Sequence, residues 1–404
     1  MPAELPDDPV GEILLRLPAG DPACHLRASL ACKRFRRIPA DPAFRRRHRA
    51  LHRQPPVLGV VRIVNGEVPY ASRFVPTDAA SSRRPAARDL PGWLALDCRH
   101  GRALFVAPSP GPGTDVALDF VVWDPLTGEQ RRLPRPSPAP TDRARFFNAA
   151  VLCAAAAGGC DHRGCHGGPF RVVFLLTTWT HTAGNVTSAR VYSSATGDWS
   201  EPATLHRPDV YVRSAPCPSA LAGDALYFAG VGRYAFEYQL AARRLKVIAG
   251  PPRSMYSGTF NFPVSMEDGG LGLTDVEAEP CLFLRRWSRE TAPDGVAQWA
   301  RGRAIELETL LPDGALMAPP LASDPPPRGK PNANVIGFAE GTDVIFVVVL
   351  RHGHADVYMV HLSSGGALKV SEGHRCVFPY TSFCIPVMDV ASRGEGPTEG
   401  VSSA

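Results

Sequence analysis

"VVWDPLTGEQRRLP" spans Val121 to Pro134 and packs a whole hairpin into a short stretch. The β-branched and aromatic run Val121-Val122-Trp123 stops at Asp124-Pro125. Thr127-Gly128 then supplies a turn, and a second short strand follows before Pro134. The same arrangement recurs in "ARVYSSATGDWSEP" (Ala189 to Pro202), "AFEYQLAARRLKVI" (Ala235 to Ile248) and "VYMVHLSSGGALKV" (Val357 to Val370). A looser version ends in "VAQWARGRAIEL" (Val296 to Leu307). Such recurrence is the mark of a repeat architecture.

Each copy is preceded by another hairpin. "LALDCRHGRALFVA" (Leu94 to Ala107) turns at Arg99-His100-Gly101, "SALAGDALYFAG" (Ser219 to Gly230) at Gly223-Asp224, and "VIGFAEGTDVIFVVV" (Val335 to Val349) at Glu340-Gly341. "LGLTDVEAEPCLFLRRW" (Leu271 to Trp287) does so less tightly. Two hairpins make four strands per unit, and units begin near 94, 151, 219, 271 and 335. Their spacing of roughly 50–70 residues is somewhat longer than the about 50 of a kelch blade. Residues 56–75 and 376–388 can supply strands from both ends and close a sixth unit. The expected body is therefore a kelch-like β-propeller of about six blades, whose closure leaves no long exposed edge.

Composition agrees with many short strands. The 404 residues include 41 Pro and 37 Gly, about a fifth of the chain, which disfavours long helices. "SRRPAAR" (Ser82 to Arg88), "RPSPAPTDR" (Arg135 to Arg143) and "SDPPPRGKPN" (Ser323 to Asn332) read as loops between units. The predicted organisation is a small all-α module at 1–53, a mostly-β domain at 54–390 and a disordered tail at 391–404.

Residues 1–53 hold 11 Lys+Arg and 6 Asp+Glu, so the whole formal charge of +5 sits there. The neutral body lacks the clustered positive charge that phosphate contacts need, which argues against nucleic-acid binding. The start "MPAELPDDPV" has no apolar signal core, and "VIFVVVL" (Val344 to Leu350) is far too short to cross a bilayer. A cytoplasmic or nuclear protein with reduced cysteines is expected, and "NVT" at Asn185 is then a chance sequon.

The basic head reads as three helices. Asp7 or Asp8 can cap the first, and Val10, Ile13, Leu14 and Leu17 fall on one apolar stripe before Pro18 ends it. A second helix starts near Asp21-Pro22 and carries Leu26, Leu30, Ala31, Phe35 and Ile38. Asp41-Pro42 opens a third, which carries Phe44 and the run "FRRRHR" (Phe44 to Arg49), read as its solvated face, with a nuclear-localisation or nucleic-acid role as the alternative. So small a module buries little surface alone. It is either a cap on the body or a docking module sharing its apolar stripe with another protein.

Here the residues resemble a known family. Leu5-Pro6, Ile13-Leu14, Arg16-Leu17-Pro18, Cys32-Lys33-Arg34-Phe35 and Asp41-Pro42-x-Phe44 match the F-box in order and spacing. Ala31 stands where Val is usual and Phe35 where Trp is usual, either of which could trim the docking surface. Along nearly the whole chain, "ALDCRHGRALF", "VVWDPLTGEQRRLP" and "GFAEGTDVIFV" resemble the plant (grass) F-box proteins with a propeller-like C-terminal domain. The resemblance implies a non-catalytic subunit of an SCF (cullin–RING) ubiquitin ligase. Its F-box would dock a Skp-type adaptor, and its propeller would bind a target protein. The implied adaptor-binding residues are Leu5, Pro6, Val10, Ile13, Leu14, Leu17, Pro18, Cys32, Lys33, Phe35 and Ile38.

Catalytic motifs are missing. The chain has no phosphate-binding G-x-x-x-x-G-K-[ST], no H-E-x-x-H and no G-x-S-x-G. "SSATGDW" (Ser193 to Trp199) faintly resembles the Asp-box of sialidase propellers but lacks its Asp and reads as a turn. No cofactor and no enzyme activity are expected. Arg99, His100, Arg233, Tyr234, His352 and His354 lie in or beside predicted turns and are candidate anchors for a target, or ordinary surface. The alternatives are a propeller scaffold acting outside ubiquitin ligases and a propeller hydrolase with a polar pocket on its axis.

One segment stands apart. "GGCDHRGCHGGPF" (Gly158 to Phe170) places Cys160, His162, Cys165 and His166 within seven residues. The donor types suit zinc, but four ligands so close together would strain the loop. No metal is expected, and a two-ligand site completed from elsewhere is the more reasonable form. The flanking strands make the segment an enlarged turn of the second unit, in register with Arg99-His100-Gly101 of the first.

Overall fold

The computed structural model describes residues 6–17, 22–52, 54–64, 71–77, 86–110, 116–137, 146–155, 160, 162, 165, 167–213, 217–251, 262–266, 268–277, 283–291, 296–312, 315–316, 333–351, 354–373 and 376–383. The head has four helices rather than the three expected: α1 (Asp7–Leu15), α2 (Pro22–Ala31), α3 (Lys33–Ala40) and α4 (Pro42–Leu51). The long second helix is broken at Cys32. That residue is extended, and its thiol accepts the backbone N–H of Phe35 as the N-cap of α3. Asp41 caps α4 through Ala43 N–H at 2.7 Å, with Pro42 in the first turn. Pro6 occupies the N-cap of α1, and Asp7 and Asp8 lie in its first turn, where the helix dipole favours negative charge.

Val10, Leu14, Leu15 and Phe44 form the buried core of the head, with Leu17, Ala28, Phe35 and Ile38 packed around it. Asp7 pairs with Arg34 and Arg37, and Glu12 with Arg47, so part of the basic surface is bound to the head's own acids. Such exposed pairs orient side chains more than they stabilise.

From Val57 the chain is built of four-stranded antiparallel sheets. Three strands, β1 (Val57–Ile63), β2 (Ala71–Pro76) and β3 (Arg88–Pro91), begin a blade that they do not finish. The first complete blade follows as β4 (Leu94–Arg99), β5 (Arg102–Pro110), β6 (Val116–Trp123) and β7 (Gln130–Arg132). The second is β8 (Phe147–Cys153), β9 (Phe170–Thr180), β10 (Gly184–Ser193) and β11 (Ala203–His206). The third is β12 (Ala220–Ala222), β13 (Ala225–Ala229), β14 (Tyr234–Gln239) and β15 (Arg244–Ala249). The fourth is β16 (Phe262–Ser265), β17 (Leu271–Glu277), β18 (Phe283–Thr291) and β19 (Ala297–Glu306). The fifth is β20 (Ala333–Phe338), β21 (Val344–Arg351), β22 (His354–His361) and β23 (Ala367–Glu372).

The last strand, β24 (Val377–Thr381), returns to pair with β1 and completes the sixth, seam blade in the order β24-β1-β2-β3. Both ends of the body therefore meet in one sheet. The expected six blades are present, and β3 adds a third N-terminal strand just after the proline-rich stretch read as a loop. The expected tail at 391–404 lies outside the described residues.

The first strand of each blade lies innermost: β4 packs against β8 and β24, β12 against β16, and β20 against β24. Between blades the core is aromatic. Trp123, fully buried, meets Phe74 of the seam blade edge to face at 5.9 Å, and Phe74 meets Tyr380 at the same distance. Asp124 closes the hairpin that follows, accepting Leu126 N–H at 2.8 Å, and also accepts the Tyr380 hydroxyl at 3.1 Å. A Cβ on Gly59 would strike the Phe74 ring and the Val75 carbonyl, so only glycine fits there.

Candidate functional site

Three places gather polar or exposed side chains that the fold alone does not demand. The first is the propeller axis. The β4 register slips between Ala95 and Asp97, a bulge of the kind that re-aims a side chain, and Asp97 lines the axial cavity. Arg99 donates to Asp97 at 2.8 Å, to the Ser219 carbonyl at 2.9 Å and to Glu340. Val151 N–H donates to Asp97, and Leu221 N–H to Glu340. Burial pushes the Asp97 carboxyl up to about 6, against the pull of Arg99 and the Val151 amide. Burial acts to lower the Arg99 pKa, and the Asp97 and Glu340 charges more than offset it, so Arg99 stays charged.

The axial cavity, lined from five blades, holds only about 40 Å³, room for a water rather than a substrate. Both carboxylates are occupied by Arg99 and backbone amides. A groove of about 690 Å³ opens instead along the fourth blade, with Phe283, Arg286, Arg303 and Glu306 on its walls and Leu362 at its margin. Arg99 is thus an internal strut and not the exposed anchor that its turn position suggested. Arg233 is exposed, and Tyr234 is half-buried beneath the Arg207 guanidinium. His354 opens β22, and His352 lies outside the described residues.

The second place is the enlarged β8–β9 loop. Donor atoms of Cys153, Cys160, His162 and Cys165 all lie within 4.8 Å of one another. Three of these were legible as candidates. Cys153 was not, although it ends the strand directly before the loop; His166 lies outside the described residues. His100 and Gly101 both have positive φ, the backbone of a tight two-residue hairpin. This turn brings the His100 ring flat against His162 at 4.1 Å, and Cys153 N–H donates to His100 Nδ1 at 3.1 Å. Burial, the His162 ring and the Arg99 charge hold the His100 imidazole neutral, well below the usual histidine range. Burial and the neighbouring Cys153 and Cys160 thiols push the Cys165 thiol up.

The third place is the head. Of the seven exposed large apolar side chains among the described residues, Ile13, Leu30 and Leu51 belong to it. Ile13 is 58% and Leu30 64% exposed, on a module too small to spare apolar surface. The module is four short helices, two of them with side-chain N-caps, that leave these apolar side chains in water.

Residues 3–47 match the F-box domain. The chain is thus an F-box followed by a six-bladed β-propeller. No curated protein matches its sequence. Solved structures similar to the chain include two proteins with provisional names. One is a selenium-binding protein from Sulfolobus tokodaii, at 10% identity and a TM-score of 0.37, covering 81% of this chain and 76% of that one. The other is a 6-phosphogluconolactonase from Bacteroides fragilis, at 9% identity and 0.34, covering 79% and 97%. The dipeptidyl peptidase 4 of Porphyromonas gingivalis matches at 11% identity and 0.28, covering 78% of this chain but only 45% of its own.

Within the F-box the candidate docking residues divide. Pro6, Ile13, Cys32 and Lys33 are exposed, and Leu17, Phe35 and Ile38 are half-buried. Val10 and Leu14 are buried in the F-box's own core. Leu5 and Pro18 lie outside the described residues. An apolar periodicity cannot separate the face that packs inward from the one that stays out; Leu30 falls on the apolar stripe of α2 and is nonetheless exposed.

Proposed function

We propose that this protein is the substrate-recognition subunit of an SCF ubiquitin ligase, with no catalytic role of its own. The observation that carries the reading is the F-box match at 3–47 together with the exposed Ile13 and Leu30 on that module. F-boxes generally bind Skp-type adaptors, and apolar side chains left in water are what such an interface would bury. The basic charge of the head would favour an acidic partner. The propeller, which we read as kelch-like, would hold a target protein near the conjugating enzyme and raise its local concentration. The filled axis favours this binding role over hydrolysis, and the role belongs in the cytosol or nucleus.

The test is co-purification of the full-length chain with a Skp-type adaptor. Wild type should form a stoichiometric complex, and Ile13→Asp with Leu30→Asp should abolish it while the helical circular dichroism is retained. Leu14 is the wrong position for this test, because a charge there would break the core. Absence of a wild-type complex would leave the scaffold reading, acting outside ubiquitin ligases, in its place.

A further inference from the structure

We propose that Cys153, Cys160, His162 and Cys165 bind a structural zinc ion. The four donor atoms already lie within 4.8 Å of one another. Tetrahedral zinc, with bonds of about 2.3 Å to sulfur and 2.0–2.1 Å to nitrogen, sets donors roughly 3.4–3.8 Å apart. The widest donor separations need to close by roughly 1.0–1.4 Å at most to reach that geometry. Three thiolates and one imidazole are a recurrent structural zinc set. With all four positions filled by protein, no place is left for substrate, so the ion would hold structure and not catalyse.

The ligand set answers the objection raised by sequence spacing. Cys153 comes from the end of β8, where it is paired with Phe170 of β9, and the loop carries the other three donors back towards it. The ion would sit between a rigid strand end and a turn, not inside a seven-residue knot.

A second observation points to the same ligand. Arg102 is buried at 4% exposure and donates to the carbonyls of His100 (3.2 Å), Cys165 (2.9 Å) and Gly168 (2.6 Å). Among the described residues no carboxylate forms an ion pair with it; the Asp124 charge acts on it only from a distance, and its guanidinium lies over the Phe170 ring at 5.4 Å. A buried guanidinium needs an opposite charge nearby. Three thiolates around Zn²⁺ carry a net charge of −1, and they would lie behind the carbonyl that Arg102 grips. His162 fits as well: it is a non-glycine residue at φ 54, a conformation that persists where surroundings fix it. The ring of His100 braces it from the first blade. The metal would therefore pin the enlarged loop of the second blade onto the β4–β5 turn of the first.

Full-length protein, purified without chelator, should contain about one zinc per chain by elemental mass spectrometry. Cys160→Ser with Cys165→Ser should lower this to less than about a tenth, while Cys24→Ser in the head leaves it unchanged. Because the loop variant could lose metal through misfolding, wild type alone supplies a second readout. After chelation, Co²⁺ should restore thiolate-to-cobalt charge transfer, and Cys160 and Cys165 should become alkylatable only while metal is absent. Wild type that holds no zinc and takes up none on dialysis against it would overturn the proposal. So would equal zinc in the loop variant, or a Cys160–Cys165 disulfide in the reduced preparation. The loop variant should still bind the adaptor, so the two readings stand or fall separately.

Discussion

Arg99 of the first blade and Glu340 of the fifth are bonded to each other across the propeller axis, 241 residues apart in the chain. With Asp97 and Ser219, the pair joins three blades through one guanidinium. Arg99→Met would leave Asp97 buried and without its cation. The expected cost is about 3–5 kcal/mol, the usual penalty for removing one member of a buried pair. Urea unfolding should show a large fall in midpoint, and Glu340→Gln, where the carboxylate is partly exposed, a smaller one. Equal stability of Arg99→Met and wild type would mean that the axis is not a strut.

The seam makes a second prediction. β24 is the innermost strand of a blade whose other three strands come from the opposite end of the body. A chain ending before Val377 loses five residues of pairing and uncovers the β1 edge. Such a truncation should unfold without a single cooperative transition and be cut by trypsin in the seam blade first. A truncated body as protease-resistant as wild type would contradict the closure.

Acid should act on the F-box before the propeller. His48 is buried beside His25 and His52, and burial, with those two rings and Arg49, lowers its pKa from 6.5 to about 3. The unfolded chain therefore binds the proton more readily, so stability is full above pH 6.5 and is lost as pH falls towards 3. By pH 5 the loss should reach about 1–2 kcal/mol. Asp97 has the opposite sign: its raised pKa favours the folded body at low pH and ceases to do so as pH rises through about 6. The helical circular dichroism should thus fade in acid while the β signal persists, and His48→Phe should remove the effect.

The strand–turn–strand repeats were legible because each carries its own turn chemistry. Thr127-Gly128 and Thr196-Gly197 both end as turns with glycine at positive φ. β3 was not legible, since Arg88–Pro91 offers no alternating pattern and is mostly exposed. The break at Cys32 depends on one thiol accepting one amide, which periodicity does not record. The axial charges come from blades far apart in sequence, so no local motif could have announced them. Of the four thiol and imidazole donors, Cys153 was hidden by its place in an apolar strand.

The seam also has a consequence for how the protein is made. β1 is synthesised directly after the F-box, but its partner β24 follows roughly 300 residues later. At about 5–20 residues per second, translation leaves β1 without its neighbour for roughly a quarter of a minute to a minute. The F-box segment is complete in that interval, before the ring of blades can close. Nascent chains would then carry a complete F-box beside an unsealed propeller, with the β1 edge open to pairing with other chains.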